Sequence, residues 1–325
     1  MTTRKENKAV RGPSRREFLG GAAGLAAAAA LPVSAAAWPA SATARPVPAR
    51  SASRRIRAAT TPVTGATVDL ASYGDKNYLD AAKTFDGYVG LPLGTTIQKV
   101  YMGHGEFPPH PPLKMTQLAA AGCEFLVSIE PSKTMTSAEQ ATLSKWLTMM
   151  NNSGINYRVV LYSECNDKAF KTSSEWFAYW SYYAPVVKDA GVVCAYDCGM
   201  GFKALPRASA YFPSNPTPDE LWMDFYATSF RGGSRLEEVM GLAEDAGIPA
   251  GIAEWNWSAG DLIFTPMTMP WWNAYCEYIA NLATAGKLTL GAIFFNAVAK
   301  GGRADVIAST QDPRIPGVHR VVSAF

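Results

Sequence analysis

A chain of 325 residues in which 48% are hydrophobic is long enough to bury the core of one barrel-sized domain. Its formal net charge of +3 is unevenly distributed, because residues 1–63 hold 11 of the 30 basic residues and only 2 of the 27 acidic ones. The remainder carries 19 basic and 25 acidic residues, a net charge of −6, which argues against a nucleic-acid partner.

The N-terminus has the features of an export signal. Ser14-Arg-Arg-Glu-Phe-Leu19 is a twin-arginine motif, followed by a run of small apolar residues and by several Ala-x-Ala cleavage options up to Ala42. The run is too rich in Ala and Gly, and is interrupted too soon by Pro32, to form a stable membrane anchor. We therefore predict a cleaved signal peptide over residues 1–42, a disordered linker over 43–64 and a folded domain over 65–325. The mature protein is expected to be secreted and to have no membrane contact.

A repeated unit follows the linker. An amphipathic stretch ends on glycine, and an apolar run rich in β-formers comes within a few residues, which is typical of a helix, a tight turn and a strand. Capping-box patterns mark three of the helix starts, at Thr136, Thr172 and Ser234. The glycines that end the predicted helices are Gly122, Gly154, Gly191, Gly247 and Gly286.

Eight predicted strands alternate with these helices, which indicates an α/β fold, a closed (β/α)₈ TIM barrel. The alternative, an open doubly wound sheet, usually has a glycine-rich phosphate loop after its first strand, and Ser72-Tyr-Gly-Asp75 is not one. Residues 202–218 look like a loop rather than a helix, and the last helix is expected within residues 302–315. The predicted strands are Thr67–Ser72, Ile97–Met102, Glu124–Ile129, Arg158–Ser163, Val192–Asp197, Trp222–Thr228, Ala250–Glu254 and Ala292–Asn296.

Polar and aromatic residues follow the strands at their C-terminal ends, which form the active face of such a barrel. Sugars require this mixture, since aromatic rings stack on the C–H surfaces of a pyranose and fixed polar groups meet its hydroxyls. The candidates are His104, Glu106, Glu130, Glu164, Asn166, Asp197, Tyr226, Thr228, Glu254, Trp255, Trp257 and Asn296.

Two of these residues form the predicted catalytic pair. Glu164 and Glu254 each end a short apolar strand, the fourth and the seventh, on opposite sides of an eight-stranded ring. If the two carboxyl groups lie about 5–5.5 Å apart, they can cleave a glycosidic bond with retention of configuration.

The chain resembles the clan A glycoside hydrolases, and most closely family 26, which contains β-mannanases and related β-glucanases. Ser163-Glu164-Cys165-Asn166 resembles the family's His-Glu-x-Asn motif with the histidine replaced, and Ala253-Glu254-Trp255 resembles its Ala-Glu-aromatic motif. Phe85–Pro92 followed by Lys99-Val-Tyr-Met102 is similar to its opening strands. The similarity covers roughly residues 65–300.

This resemblance implies a role for each site residue. Glu164 would be the acid/base, Glu254 the nucleophile, and Tyr226 the phenol that hydrogen-bonds the nucleophile. The eighth strand ends in Phe295-Asn296, where many relatives have a tryptophan platform. We expect a monomeric enzyme that acts on a carbohydrate, without a cofactor or a metal. The remaining predicted substrate-binding residues are Asn166, Trp255, Trp257, Glu130, His104 and Asn296.

Other interpretations remain open at this point. The polar and aromatic residues at the strand ends could belong to a non-catalytic carbohydrate-binding barrel, or the acids among them could bind a divalent ion. Trp176, Trp180 and Tyr183 recur at helical spacing and are expected to face the core. The five cysteines are expected to be mostly buried thiols, although Cys165 and Cys198 could form a bridge.

Overall fold

The fold is a single eight-stranded parallel sheet surrounded by helices, and it confirms the predicted (β/α)₈ barrel. In this sheet the first strand of the chain lies beside the eighth, and the seventh to the second strands follow in descending order. The predicted signal peptide and almost all of the predicted linker lie outside the described residues. The computed structural model describes residues 62–166, 170–199, 207–227, 230, 234–257, 268–297 and 306–325.

Apart from Tyr101 and His104 near the end of the second strand, the strands are almost completely buried, as expected for a parallel sheet that is covered on both faces. Adjacent β1 and β2 close the ring through side chains: the backbone N–H of Val68 donates to Gln98 Oε1 at 3.3 Å, and that of Lys99 donates to Thr67 Oγ1 at 3.2 Å. The strands are β1 (Gly65–Val68), β2 (Ile97–His104), β3 (Glu124–Glu130), β4 (Tyr157–Leu161), β5 (Cys194–Gly199), β6 (Glu220–Asp224), β7 (Ala250–Trp255) and β8 (Gly291–Asn296).

The helices pack around the sheet, and among the described residues none is both long and apolar enough to cross a membrane. Trp176, Trp180 and Tyr183 lie on one helix and are fully buried, which confirms the prediction that they face the core. The helices are α1 (Leu70–Tyr73), α2 (Tyr78–Val89), α3 (Leu113–Ala119), α4 (Ser137–Asn152), α5 (Ser173–Asp189), α6 (Ala208–Tyr211), α7 (Ser234–Ala246), α8 (Met269–Thr284) and α9 (Ile315–Val322).

The predicted helix boundaries are largely confirmed. All five glycines predicted to end a helix have φ between 65° and 84°, the left-handed conformation that a side chain disfavours. Thr136 forms a complete capping box with Glu139. Thr172 accepts from the backbone N–H of Glu175, but the Glu175 carboxylate accepts from the N–H of Lys171 instead of returning to Thr172. Ser234 lies in the first turn of α7 rather than before it.

Three predicted elements differ from the structure. The first strand ends at Val68, and residues 70–73 form a helical turn that stops at Gly74. Val63, predicted to be linker, donates its N–H to Leu290 O at 3.0 Å and packs inside the barrel. The last helix begins at Ile315, where the prediction ends.

The interior of the barrel is layered. An apolar middle layer, which includes Trp222, Leu126 and Val160, fills its centre. At the N-terminal ends of the strands, Arg158 is paired with Glu124 at 3.0 Å and with Glu220 at 3.1 Å. The layer towards the C-terminal ends contains a second group of buried charges, which forms the base of the candidate site.

Candidate active site

Glu254, at the end of β7, lies in the mouth of the barrel with both carboxylate oxygens in contact with the protein. The Tyr226 hydroxyl donates to Glu254 Oε2, and the ammonium nitrogen of Lys99 lies 3.0 Å from Glu254 Oε1. Only 6% of Glu254 is exposed. A hydroxyl donor and a cation thus hold both oxygens of this carboxylate in place, as the positioning of a nucleophile requires.

Lys99 is the centre of the charged layer beneath Glu254. Its side chain points into the barrel from β2 and is completely buried. Its Nζ lies 2.8 Å from Ser163 Oγ, Asp197 Oδ2 and Asp224 Oδ1, in addition to its contact with Glu254. One ammonium group thus joins β2 to β5, β6, β7 and the turn after β4.

The electrostatics of this layer concern Lys99 and Asp224. Burial alone would lower the pKa of Lys99, but the charges of Asp197, Asp224 and Glu254 raise it well above its ordinary value. Burial also raises the pKa of Asp224 well above its ordinary value, and the charge of Asp197 raises it further, while Lys99 opposes both effects. Lys99 is therefore an ammonium ion throughout the physiological range, and Asp224 takes up a proton more readily than an isolated aspartate does.

Glu164 lies in an unusual turn directly after β4. Its φ is 53° and that of Tyr162 is 60°, a left-handed conformation that costs roughly 1–2 kcal/mol for each residue other than glycine. The turn is anchored by Asn166, whose carboxamide accepts from the N–H of Gly199 at 2.9 Å and donates to its carbonyl at 3.0 Å. Strain of this kind persists only where the surroundings fix it.

The turn places the Glu164 carboxylate over the end of β5. A β-carbon on Gly199 would lie 2.9 Å from Glu164 Oε1, so the glycine leaves the space that Glu164 occupies. The charge of Glu164 also contributes to the raised pKa of Asp224. Glu164 and Glu254 therefore border the same buried group of charges, and Glu164 is the more exposed of the two.

His104 and Glu130, two further predicted site residues, lie side by side at the ends of β2 and β3. His104 is exposed and Glu130 is half-buried. The charge of Glu130 acts on Lys133 and Tyr162, and Lys133 Nζ lies 5.1 Å from the centre of the Tyr162 ring. Both residues are at the same end of the barrel as Glu164 and Glu254.

Three residues predicted to contact the sugar, Trp255, Trp257 and Asn296, pack against other parts of the protein. Trp255 points outwards to α8, where it is 1% exposed and stacks on Trp272 with ring centres 6.1 Å apart. Trp257 also stacks on Trp272, at 5.9 Å. The carboxamide of Asn296 is buried, donates to the Tyr73 hydroxyl and accepts from the N–H of Ile307. These contacts argue against direct sugar binding by Trp255 and Asn296, because the pleat turns Trp255 away from the mouth and Asn296 is engaged within the protein.

Sequence reasoning missed Lys99, Asp224 and Tyr101 as site residues. Lys99 and Tyr101 share the inner face of β2, and the Lys99 Nζ lies 5.2 Å from the centre of the Tyr101 ring. The Tyr101 side chain is 41% exposed at the mouth of the barrel. A lysine within an otherwise apolar strand was the available signal, because a buried ammonium requires carboxylate partners.

The described residues thus define a (β/α)₈ barrel with two glutamates, a tyrosine and a lysine-centred charge cluster at the C-terminal ends of its strands. Residues 12–32 match the family model of the TAT (twin-arginine translocation) pathway signal sequence, which confirms the predicted signal and export route. A comparison with curated proteins gives no match.

Two solved structures show the same architecture. The chain is similar to the catalytic domain of the family 26 endo-β-1,4-mannanase from Bacillus sp. JAMB-750, with 14% identity, a TM-score of 0.55 and coverage of 82% of this chain and 86% of that one. It is also similar to a modular family 26 endo-β-1,4-mannanase from Cellulomonas fimi, with 14% identity, a TM-score of 0.52 and coverage of 81% and 70%. At this level of identity the similarity establishes the fold.

Proposed function

We propose that the protein is an exported glycoside hydrolase that cleaves β-linked polysaccharides or oligosaccharides with retention of anomeric configuration. The observation that carries this proposal is the environment of Glu254, a buried carboxylate at the end of β7 in contact with Lys99 and the Tyr226 hydroxyl. A buried carboxylate held at both oxygens, with a second glutamate beside the same charge cluster, is suited to a double displacement.

In the first step, Glu254 attacks the anomeric carbon and the bond from that carbon to the glycosidic oxygen breaks. Glu164 donates its proton to the departing oxygen, so the leaving sugar departs as an alcohol and a glycosyl ester forms on Glu254. In the second step, Glu164 removes a proton from a water molecule, the water oxygen attacks the anomeric carbon, and Glu254 departs as a carboxylate. Two inversions give net retention, and Glu164 regains its proton.

The substrate class follows from the location and from the similar structures. A protein exported by the twin-arginine pathway meets glycans outside the cytoplasm. The two similar structures are named as endo-β-1,4-mannanases, so β-1,4-mannan is the first substrate to test, followed by β-glucans. We further propose that the signal over residues 1–42 is removed, and that the catalytic domain over residues 65–325 acts as a monomer.

The decisive experiment separates the roles of the two glutamates. Glu164→Ala should lose about 10²–10⁴-fold in activity on a natural glycan, whose leaving group needs a proton, and much less on an activated aryl glycoside. Added azide should restore its turnover and give a β-glycosyl azide. Glu254→Ala should be inactive on both substrates, because no glycosyl ester can form, and azide should give at most the α-anomer.

Glu277→Ala is the matched control, since Glu277 is an exposed carboxylate on α8, outside the ring of strand ends, and its removal should leave the azide products unchanged. Reversed azide products would exchange the two assignments. Normal turnover by both glutamate variants would place the catalytic pair elsewhere. Tight glycan binding by the wild type without release of reducing ends would indicate a non-catalytic sugar-binding barrel.

A further inference from the structure

We infer that Lys99 is a positioning residue that fixes the reactive carboxylate of Glu254, with Asp197, Asp224 and Ser163 fixing Lys99 in turn. The inference rests on the proposed function, because it concerns the residue assigned as nucleophile. The device, a lysine in β2 that acts through a glutamate in β7, lies outside the two motifs that contain Glu164 and Glu254.

The geometry shows how the lysine is held. An ammonium group has three N–H donors, and Ser163 Oγ, Asp197 Oδ2 and Asp224 Oδ1 all lie 2.8 Å from Lys99 Nζ. These three acceptors come from the turn after β4, from β5 and from β6. Glu254 Oε1, at 3.0 Å, is the fourth contact and interacts with the lysine as an ion pair. The ammonium group is therefore anchored independently of the residue that it positions.

The groups around Lys99 are mostly acids. Asp197, Asp224 and Glu254 contact Lys99, and Glu164 also acts on Asp224, so acids outnumber the one cation in this layer. The lysine charge is therefore shared by Asp197 and Asp224 below and by Glu254 at the mouth. Glu254 is held from its other side by the Tyr226 hydroxyl, which donates a hydrogen bond to it.

This arrangement has a consequence for both chemical steps. Glu254 loses its charge when the glycosyl ester forms and regains it when water releases the sugar. A fixed cation 3.0 Å away stabilises that returning negative charge without any reorganisation. The lysine should therefore affect turnover and its pH dependence more than it affects substrate binding.

The test replaces Lys99 with Met, which has similar length and no charge. We expect kcat on a β-glycan to fall about 10²–10³-fold, as for the loss of one preorganised electrostatic donor, with KM changed less than threefold. The acid limb of the kcat/KM profile should move to higher pH by about one unit, because a carboxylate without its cation is protonated more easily. Met at position 99 leaves buried carboxylates without their cation, which could prevent folding. A second variant, Lys99→Met/Asp224→Asn, therefore removes one charge of each sign.

The matched control is Arg158→Met/Glu220→Gln, which removes the buried ion pair at the opposite end of the barrel. It should lower the thermal stability but leave the pH profile in place. An unchanged kcat and acid limb in the Lys99 variants would overturn the inference. The same pH shift in the Arg158 control would also overturn it, and so would failure of both Lys99 variants to fold. Each of these results is expected if Lys99 only stabilises the fold. Loss of activity in Glu254→Ala with normal Lys99 variants would reject this inference alone, whereas full activity in Glu254→Ala would reject the assignment on which it rests.

Discussion

At the scale of single residues, the candidate site depends on a missing side chain as well as on hydrogen-bonded ones. Glu164 occupies the volume above Gly199, and each of the three atoms nearest to a β-carbon built at that position belongs to Glu164. The left-handed backbone of Glu164 directs the side chain there, and Asn166 fixes the turn to β5. The position of the proposed acid/base is therefore set jointly by a strained turn and by a missing methyl group.

Gly199→Ala should displace Glu164 with little effect on the rest of the fold. The added methyl group would lie 2.9 Å from Glu164 Oε1, so the carboxyl group must shift, and small misplacements of a catalytic group cost roughly 10–100-fold in rate. Steady-state kinetics should show a larger loss on a natural glycan than on an activated aryl glycoside. Gly241→Ala is the control, since this helical glycine has open space around it and its replacement should leave the kinetics unchanged. Equal losses on both substrates would mean that Gly199 acts otherwise than through Glu164.

Tyr101 presents an exposed aromatic side chain at the mouth of the barrel, beside the site where we propose that a sugar binds. The residue is 41% exposed and its ring adjoins Lys99, which in turn contacts Glu254. Tyr101→Ala should raise KM about 2- to 10-fold, the range expected from one aromatic contact of about 0.5–1.5 kcal/mol, with kcat nearly unchanged. Tyr182→Ala, on α5, is the control and should leave KM at the wild-type value. An unchanged KM for Tyr101→Ala would remove this residue from the substrate site.

The sequence could predict Glu164, Glu254 and Tyr226 as strand-end residues, because the motifs are local. It could not predict that Lys99 joins them, because that contact links residues 155 positions apart and depends on the register of the closed barrel. The orientation of Trp255 also depends on the strand that carries it. Its position beside Glu254 predicts a sugar contact, whereas successive residues of a strand point to opposite faces, and the Trp255 ring packs against α8.

At the scale of elements, glycine stops and threonine caps were reliable guides because their chemistry is local. The left-handed turns at the five predicted glycines and the capping box at Thr136 are all present. The first strand and the last helix were wrong for a tertiary reason. Residues 70–73 have an apolar pattern that fits either a strand or a helix, and the closing seam with β2 leaves room for only four residues of β1.

The capping box of α4 predicts a pH-dependent contribution to stability. The backbone N–H of Thr136 donates to the Glu139 carboxylate and is the main cause that lowers the pKa of Glu139 to about 2. Because this value lies below that of an unfolded glutamate, about 4.3, the stabilisation is complete above that pH and is lost as the pH falls towards 2.

Glu139→Gln should therefore lower the melting temperature by about 1–3 °C at pH 6, since a solvent-screened group contributes at most about 1 kcal/mol. The difference from the wild type should shrink steadily in thermal melts below pH 4. Glu277→Gln is the control, because Glu277 is an exposed glutamate of α8 with only a 4.0 Å contact to Arg320. A difference for Glu139→Gln that stays constant from pH 6 to pH 3 would show that the charge of Glu139 is not its cause.

At the scale of the whole molecule, the two buried charge clusters lie at opposite ends of the barrel. Arg158 and its two glutamate partners lie at the N-terminal ends of the strands, and Lys99 and the two glutamates proposed to be catalytic lie at the C-terminal ends. All five cysteines are buried and free, so the fold needs no oxidising compartment. A barrel that is complete without disulfides is compatible with a pathway that exports proteins after they have folded.

Export should depend on one arginine pair and not on another. Arg15→Lys/Arg16→Lys keeps the charge of the signal but removes the paired guanidinium groups that the twin-arginine receptor reads, so the precursor should accumulate in the cytoplasm. Arg54→Lys/Arg55→Lys is a matched control, because this second pair lies beyond the segment that matches the signal model, residues 12–32, and secretion should continue. Immunoblots of cell and medium fractions measure both. Since lysine preserves the positive charge at each position, a loss of export confined to the first pair can come only from guanidinium recognition. Unchanged secretion of the Arg15/Arg16 variant would mean that another route carries the protein out of the cell.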